Sequence, residues 1–278
     1  MPVITSCYAR VTAVHPGLVV SAADPRTGAG WTTAGELAEG GPRTAAFVAR
    51  ETARMAGEYG RAPRPDVAAT LALHRYLWPA CLLFTAPWFL RRRVPRLPVG
   101  DVSAHAASGR MTVRLRAFTC LPGDPAARLP GARTVPDEAA LRTELRDALT
   151  EHLAPVLGAF RPLSRRGPVA LWRMATDEIT QGLWHVGRLL GEEDRAVAEL
   201  SALLPDGAAP FAGGAGFAGR HTGEMTSDTP SDHLNGNGGW ARTRQTCCLF
   251  YTISPTSTCV GCPRGTNPDP IDRRASAA

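Results

Sequence analysis

The sequence predicts an α+β fold that is predominantly helical and carries a small antiparallel sheet. Residues 31–204 show apolar residues at helical spacing, bounded by capping residues and glycine stops. Between these helices, residues 110–120 alternate apolar and polar side chains, as a half-buried strand does. The chain has 278 residues, of which 44% are hydrophobic, so it can bury an ordinary core as one large domain or two modest ones.

The first helices are marked by their ends. Thr33 and Glu36 have the spacing of a capping box, which opens one short helix. The next helix stops at Gly60, and its apolar residues recur at multiples of a turn: Phe47, Met55 and Tyr59. Asp66 is predicted to cap a longer helix.

The first of the later helices is predicted from a stripe of leucines. After Pro136, leucines recur every four residues: Leu141, Leu145, Leu149, Leu153 and Leu157. A last pair of helices is predicted over residues 168–190 and 192–204. The strand at 110–120 needs a partner, which part of the first twenty residues or a return segment would supply.

One apolar stretch, residues 76–90, precedes Arg91, Arg92 and Arg93. It is shorter than the roughly 20 residues of a membrane span and contains Pro79 and Pro87, so a kinked core helix is favoured and peripheral membrane contact is the alternative. Four tryptophans lie in the two most apolar helical segments. Such aromatics usually belong to a core, but they also suit a pocket for a bulky ligand: Trp78, Trp88, Trp172 and Trp184.

Charge and composition limit the classes of binding partner that the protein can have. The formal charge is +6 and every basic residue is Arg, which favours anionic partners without choosing among them. The N-terminus lacks the pattern of a secretory signal, so we expect a cytoplasmic protein. Asp177 and Glu178 stand on an otherwise apolar helix, where at least one is predicted to face solvent, with a ligand contact as the alternative.

The chain divides by composition into four parts. Residues 1–204 form the mainly helical domain, and residues 205–240 are predicted to be a flexible Gly-rich linker or loop. Residues 241–264 hold a cluster of cysteines, and residues 265–278 are predicted to be a disordered tail. The linker contains a GxGxxG pattern at Gly214, but it lacks the flanking strand and helix that a dinucleotide site requires.

Four cysteines are crowded near the end of the chain: Cys247, Cys248, Cys259 and Cys262. In a reducing compartment such a group favours a metal over disulfides, and the last two form a Cys-x-x-Cys turn that can hold one. If adjacent Cys247 and Cys248 are both ligands, the backbone must turn there. This crowding suits a two-iron cluster better than a single zinc ion, and zinc better than disulfides. The remaining thiols, Cys7, Cys81 and Cys120, are predicted to be structural.

The stretch RTRQTCCLFYTISPTSTCVGCPR, residues 242–264, resembles the C-terminal signature of the FhuF-like ferric siderophore reductases. The Cys-Cys-x10-Cys-x2-Cys spacing matches, as do Arg242, Arg244, Leu249 and Tyr251. The resemblance implies a [2Fe-2S] cluster held by Cys247, Cys248, Cys259 and Cys262. It also implies one-electron reduction of a ferric siderophore in the cytosol, with a ferredoxin or flavoprotein as electron donor and no nucleic acid partner.

The chelate pocket is predicted from the four tryptophans together with Arg242 and Arg244. These arginines would alternatively favour the reduced cluster or steer an acidic electron donor. Two other functions fit the same cysteines. One is a basic nucleic-acid-binding module whose four cysteines hold zinc, and the other is a siderophore-binding protein whose cluster senses redox state without turnover.

Overall fold

The structure is a computed structural model that describes residues 2–220, 240–255 and 262–264. The predicted disordered tail at 265–278 lies outside these residues. Over the described ranges the chain forms seven α-helices: α1 (Pro2–Val14), α2 (Ala34–Glu39), α3 (Gly41–Tyr59), α4 (Pro65–Arg91), α5 (Glu138–Ser164), α6 (Pro168–Leu189) and α7 (Glu193–Leu203). A mainly helical α+β fold is confirmed.

The helix ends follow the predicted signals, with one exception. The capping box that opens α2 is present, because the Glu36 amide donates to Thr33 Oγ1 at 3.0 Å and the Thr33 amide donates to Glu36 Oε2 at 2.9 Å. Helix α3 ends at Gly60, whose φ of 69° favours glycine. The predicted Asp66 cap is wrong, since α4 already begins at Pro65, which is favoured in a first turn; Asp66 lies inside that turn.

Helix α4 forms the centre of the helical domain and packs against α1, α3, α5 and α6. Among the described residues it alone is long and apolar enough to cross a membrane, yet 78% of its apolar window is buried inside the protein. It contains Pro79 and Pro87, as predicted for a core helix. The leucines of the α5 stripe are buried against α4 and belong to the largest apolar cluster.

Nine short strands lie in the described chain: β1 (Val20–Ala22), β2 (Trp31–Thr33), β3 (Val94–Arg96), β4 (Val102–His105), β5 (Met111–Val113), β6 (Ala117–Cys120), β7 (Ala132–Thr134), β8 (Phe217–Arg220) and β9 (Trp240–Arg242). They form sheets of order β1-β5-β4-β2, β3-β6-β7 and β8-β9. The pairs β1-β5 and β6-β7 are parallel, so the first two sheets are mixed and not purely antiparallel as predicted. The N-terminal region does supply a partner, because Val20 pairs with Met111.

The predicted strand at 110–120 is two strands in different sheets. β5 pairs with β1 and β4, whereas β6 pairs with β3 and β7. Residues 114–116 lie between β5 and β6 and belong to neither sheet. They include two arginines, and Arg114 forms ion pairs with Asp24 and Asp101. A side-chain alternation pattern cannot reveal such a switch between sheets.

Residues 205–220 differ from the predicted flexible linker. Phe211 is buried and packs edge-on against Trp172, with ring centroids 5.3 Å apart. Strand β8 then pairs antiparallel with β9, which leads into the cysteine segment. Aromatic burial therefore fixes this Gly-rich stretch on the helical domain; residues 221–239 lie outside the described ranges.

Candidate metal centre

The backbone turns where the paired cysteines require it. After β9 the chain bends at Gln245 and Thr246, and Leu249 adopts a left-handed φ of 64° before a short 3-10 helix at Phe250–Thr252. In a regular strand, Cys247 and Cys248 would point to opposite faces. The turn removes that restriction, so both sulfurs can be directed toward one centre.

Three of the four predicted cysteine ligands lie in the described part of the chain. Cys248 and Cys262 are buried and Cys247 is half-buried. The Leu249 amide donates to Cys247 Sγ at 3.4 Å, a contact of the kind that tunes metal-bound sulfurs. Cys259 lies outside the described residues, and within those residues no group of three or more His, Cys, Asp or Glu side chains is arranged to hold a metal ion. The four-cysteine ligand set therefore stays a prediction.

The described thiols interact electrostatically. Burial raises the pKa of Cys247, while the Leu249 amide lowers it and nearby Cys248 and Cys262 raise it further. An unligated thiolate is therefore disfavoured at this position. A bound metal cation reverses that balance, because its charge stabilises coordinating thiolates.

Two acidic residues of α6 anchor the segment that precedes the cysteines. Asp177 is fully buried, and its carboxylate accepts hydrogen bonds from the Arg242 guanidinium and from the backbone amides of Gln245 and Thr246, the latter two at 2.9 Å. One side chain therefore fixes both the arginine of β9 and the first bend of the cysteine segment.

Glu178, the next residue of α6, is also fully buried. It forms ion pairs with Arg244 and with His74, whose Nδ1 lies 2.8 Å from Glu178 Oε2. We call Asp177, Glu178, Arg242 and Arg244 the buried anchor. Arg242 and Arg244 are 7% and 6% exposed, so they belong to this anchor and not to the predicted chelate pocket. The prediction that Asp177 or Glu178 faces solvent is wrong.

Further contacts hold the segment after the anchor. Arg166 donates to the Cys247 carbonyl at 2.7 Å, and Arg61 donates to the Thr252 carbonyl at 3.0 Å. The Arg264 guanidinium lies 4.5 Å from the Tyr251 ring centroid. Cys248 belongs to a small apolar cluster with helices α3 and α4, formed with Met55, Val67, Leu71 and Ile253. Polar and apolar contacts thus seat the cysteine segment on three helices.

Comparison with known families identifies this segment. Residues 244–264 match the FhuF 2Fe-2S C-terminal domain. The match covers the segment alone and begins at Arg244, within the buried anchor. No curated protein matches the chain. The resemblance predicted from the sequence is confirmed, and the FhuF-type segment is a [2Fe-2S]-binding domain.

The residues around the FhuF-type segment suit a [2Fe-2S] cluster. The backbone turn and the amide hydrogen bond to Cys247 Sγ are features that a thiolate-bound cluster uses. Arg166 and Arg264 add positive charge beside it. Cys247, Cys248, Cys259 and Cys262 would hold the cluster.

The four tryptophans do not form one pocket. Trp88 and Trp184 are buried in the main core, and Trp184 Nε1 donates to Glu193 at 2.8 Å. Trp172 packs on Phe211 at the edge of that core. Trp78 lines a cavity between α3 and α4. Because apolar residues occur all around α4, the sequence could not indicate which of its aromatics reach the surface.

The other cysteines lie within the helical domain. Cys7, Cys81 and Cys120 are each at most 1% exposed. Burial raises the pKa of all three thiols. Their positions fit the structural role that the sequence predicts.

The His74–Glu178 pair makes the anchor sensitive to pH. Burial alone would lower the pKa of His74, but the Glu178 carboxylate outweighs it and raises that pKa above the ordinary 6.5. The stabilisation is therefore complete below about pH 6.5 and is lost as the pH rises through the raised pKa. We expect the melting temperature of His74→Gln to fall furthest below wild type at acidic pH, with the gap narrowing as the pH rises through the raised pKa of His74.

Thermal unfolding of both proteins across this pH range checks that expectation. His105→Gln, at a half-buried histidine of β4, is the matched control. A gap between His74→Gln and wild type that is constant with pH, or one that widens as the pH rises, contradicts the charged pair.

Proposed function

We propose that this iron–sulfur protein is a cytoplasmic ferric siderophore reductase. The observation that carries the proposal is the FhuF-type segment, which the buried anchor holds on the helical domain. That arrangement holds a [2Fe-2S]-binding domain against helix α6 of the helical domain.

The chemistry requires one electron for each iron. When bound, the cluster supplies a one-electron carrier. Siderophore-bound Fe(III) gains the electron and becomes Fe(II), which hard oxygen donors bind less tightly, so the metal leaves the chelate. No bond to the protein forms or breaks. A reduced ferredoxin or flavoprotein supplies the electron.

The chain's own residues have positioning tasks in this scheme. Asp177 and Glu178 hold the FhuF-type segment in place, and the apolar cluster around Cys248 keeps water from one of the predicted ligands. Arg61 and Arg166 contact carbonyls of the segment, and their charge favours approach of an acidic electron donor.

The decisive experiment is a single-turnover assay without oxygen. Protein purified anaerobically should be red-brown, with about two irons per chain. After reduction and removal of excess reductant, mixing with a ferric chelate should release one Fe(II) per cluster into a ferrous trap, with matching recovery of the oxidised spectrum. Protein stripped of iron serves as the control.

Two results would contradict the proposal. A colourless protein that contains only zinc and binds nucleic acid would support the zinc module. A reduced cluster that stays reduced beside a bound ferric chelate would indicate a binding or redox-sensing protein without turnover.

A further inference from the structure

Two histidines from distant parts of the chain meet at the edge of the helical domain. His15 follows the last residue of α1, and His185 lies on α6. His15 Nδ1 and His185 Nε2 are 3.3 Å apart, and the two rings are nearly perpendicular, with centroids 5.1 Å apart. His185 is two turns of α6 beyond Asp177, so the pair lies about 12 Å along the helix from the buried anchor.

The separation of the two nitrogens suits a shared metal ion. A hydrogen bond donated by an N–H group usually spans about 2.7–3.2 Å, so the observed 3.3 Å is long for one. Two zinc–nitrogen bonds of about 2.0–2.1 Å at a tetrahedral angle hold their nitrogens about 3.3–3.4 Å apart. The spacing therefore matches two imidazoles on one tetrahedral cation.

Both rings are held in place by the surrounding fold. The His15 amide donates to the Val11 carbonyl at 2.8 Å, and the Leu18 amide donates to the His15 carbonyl at 3.1 Å, so the backbone is fixed on both sides of His15. The indole of Trp78 packs against both rings, with centroids 5.1 Å from His15 and 6.1 Å from His185. A pair of ligands prepared in this way loses little conformational entropy when it binds an ion.

The protonation and charge of the pair are compatible with a cation. Imidazole binds a metal ion through an unprotonated nitrogen. Burial lowers the pKa of His185, and the proximity of His15 and Arg188 lowers it further, so His185 is neutral at physiological pH. Arg188 Nε lies 3.8 Å from Glu193 Oε1, and this ion pair reduces the repulsion between Arg188 and a cation at the histidines.

The rest of the coordination shell is open to water. Both histidines are half-buried, and Trp78 covers one side of them. Within the part of the chain that the structure describes, no third His, Cys, Asp or Glu completes a ligand group with them. Water molecules would therefore supply the other ligands. Imidazole nitrogens select Zn(II), Cu(II) and Ni(II) over Mg(II) and Ca(II), which prefer oxygen donors.

We propose that His15 and His185 form a binding site for a divalent cation of the Zn(II) and Ni(II) type. The site is separate from the [2Fe-2S] cluster and goes beyond the proposed reductase function. The bound ion links the end of α1 to α6, beside the small apolar cluster that contains Val11, Leu18 and Val186. Because the two ligands come together only in the folded chain, ion binding stabilises the folded protein.

The test uses Ni(II) with untagged, cluster-loaded protein prepared without oxygen, in which iron already occupies the clustered thiolates. Calorimetric titration measures the affinity for Ni(II), and thermal unfolding is followed with and without the ion. We expect Ni(II) to raise the melting temperature of the wild type. His15→Gln and His185→Gln should each bind Ni(II) at least about tenfold more weakly and lose that rise.

Matched controls separate the pair from unspecific binding. His105→Gln removes a half-buried histidine of β4 and should leave the Ni(II) affinity unchanged. Mg(II) has the same charge but prefers oxygen ligands, so it should not raise the melting temperature. X-ray absorption at the nickel edge should show two imidazole ligands in the wild type and one in each variant. The two variants lie on different elements, so a folding defect in one leaves the other as a test.

Each possible result supports or overturns the site. Equal Ni(II) affinity in the wild type and both variants overturns it, as does a loss confined to one variant, which indicates a single-histidine contact. An equal loss in His105→Gln, or an equal rise in melting temperature with Mg(II), also overturns it. If Ni(II) removes the iron absorbance equally from all these proteins, the ion binds the cysteine segment and the histidine site is wrong. Fe(II) release is measured separately, so none of these results decides the proposed reductase function.

Discussion

Replacing Asp177 with alanine should lower the free energy of unfolding by about 3–5 kcal/mol, because it leaves the Arg242 guanidinium buried without its counter-charge. The same change removes the acceptor for two backbone amides of the cysteine segment. We therefore expect the protein to lose most of its cluster as well as stability. Chemical denaturation and iron content measure the two effects separately.

The matched control is Asp24→Ala. Asp24 also pairs with an arginine, Arg114, but its side chain is 83% exposed, so its loss should cost at most about 1 kcal/mol and leave the cluster intact. The double variant Asp177→Ala with Arg242→Ala should recover part of the stability, since the unpaired charge is gone. Full iron content and wild-type stability in Asp177→Ala would contradict the anchor.

Replacing Cys248 with alanine should abolish the cluster. Cys248 is one of four predicted ligands, and a three-thiolate set leaves one iron corner open. We expect loss of the visible absorption and of Fe(II) release, while the helical domain keeps its secondary structure because Cys248 contributes only a small side chain to its apolar cluster. Anaerobic visible and far-ultraviolet spectra provide the measurement.

Cys7→Ala is the corresponding control. Cys7 is also buried, but it lies on α1 within the helical domain. It should retain about two irons per chain and wild-type reduction. A Cys248→Ala protein with a complete cluster would remove Cys248 from the ligand set, and cluster loss in both variants would indicate a general folding defect.

Local signals in the sequence were sufficient for the helices from α2 onward, whereas α1, in the region offered only as a possible strand partner, was not predicted. The Thr33 capping box, the stop at Gly60 and the leucine stripe of α5 each depend on residues within a few positions of one another. Such interactions are visible in a short window. The four-cysteine spacing is equally local, and its resemblance to the FhuF-type signature predicted the [2Fe-2S] domain.

The buried anchor could not be predicted in the same way. Arg242 lies 65 residues after Asp177, and the sequence holds many other arginines. The sequence held a weak signal: α6 carries two adjacent acidic residues on an otherwise apolar helix, and the cysteine segment is preceded by two arginines, Arg242 and Arg244. The burial of both carboxylates, which only the structure shows, identifies their role, because two carboxylates inside a core require cationic or amide partners.

Long-range packing also explains the other differences. The Gly-rich composition of residues 205–220 suggested a linker, but Phe211 finds a partner in Trp172, about forty residues earlier in the chain. Trp78 and Trp88 share one apolar helix, yet only the fold shows which of them lines a cavity. The composition of a segment does not show which distant residues it packs against.

The depth of the anchor has a consequence for ionic strength. Dissolved ions screen charges that water can reach, and the arginine and carboxylate groups of the anchor are almost entirely out of water. Arg61, by contrast, is exposed at the edge of the same segment. High salt should therefore dissociate an acidic electron donor from the surface around Arg61, while the FhuF-type segment stays bound to the helical domain.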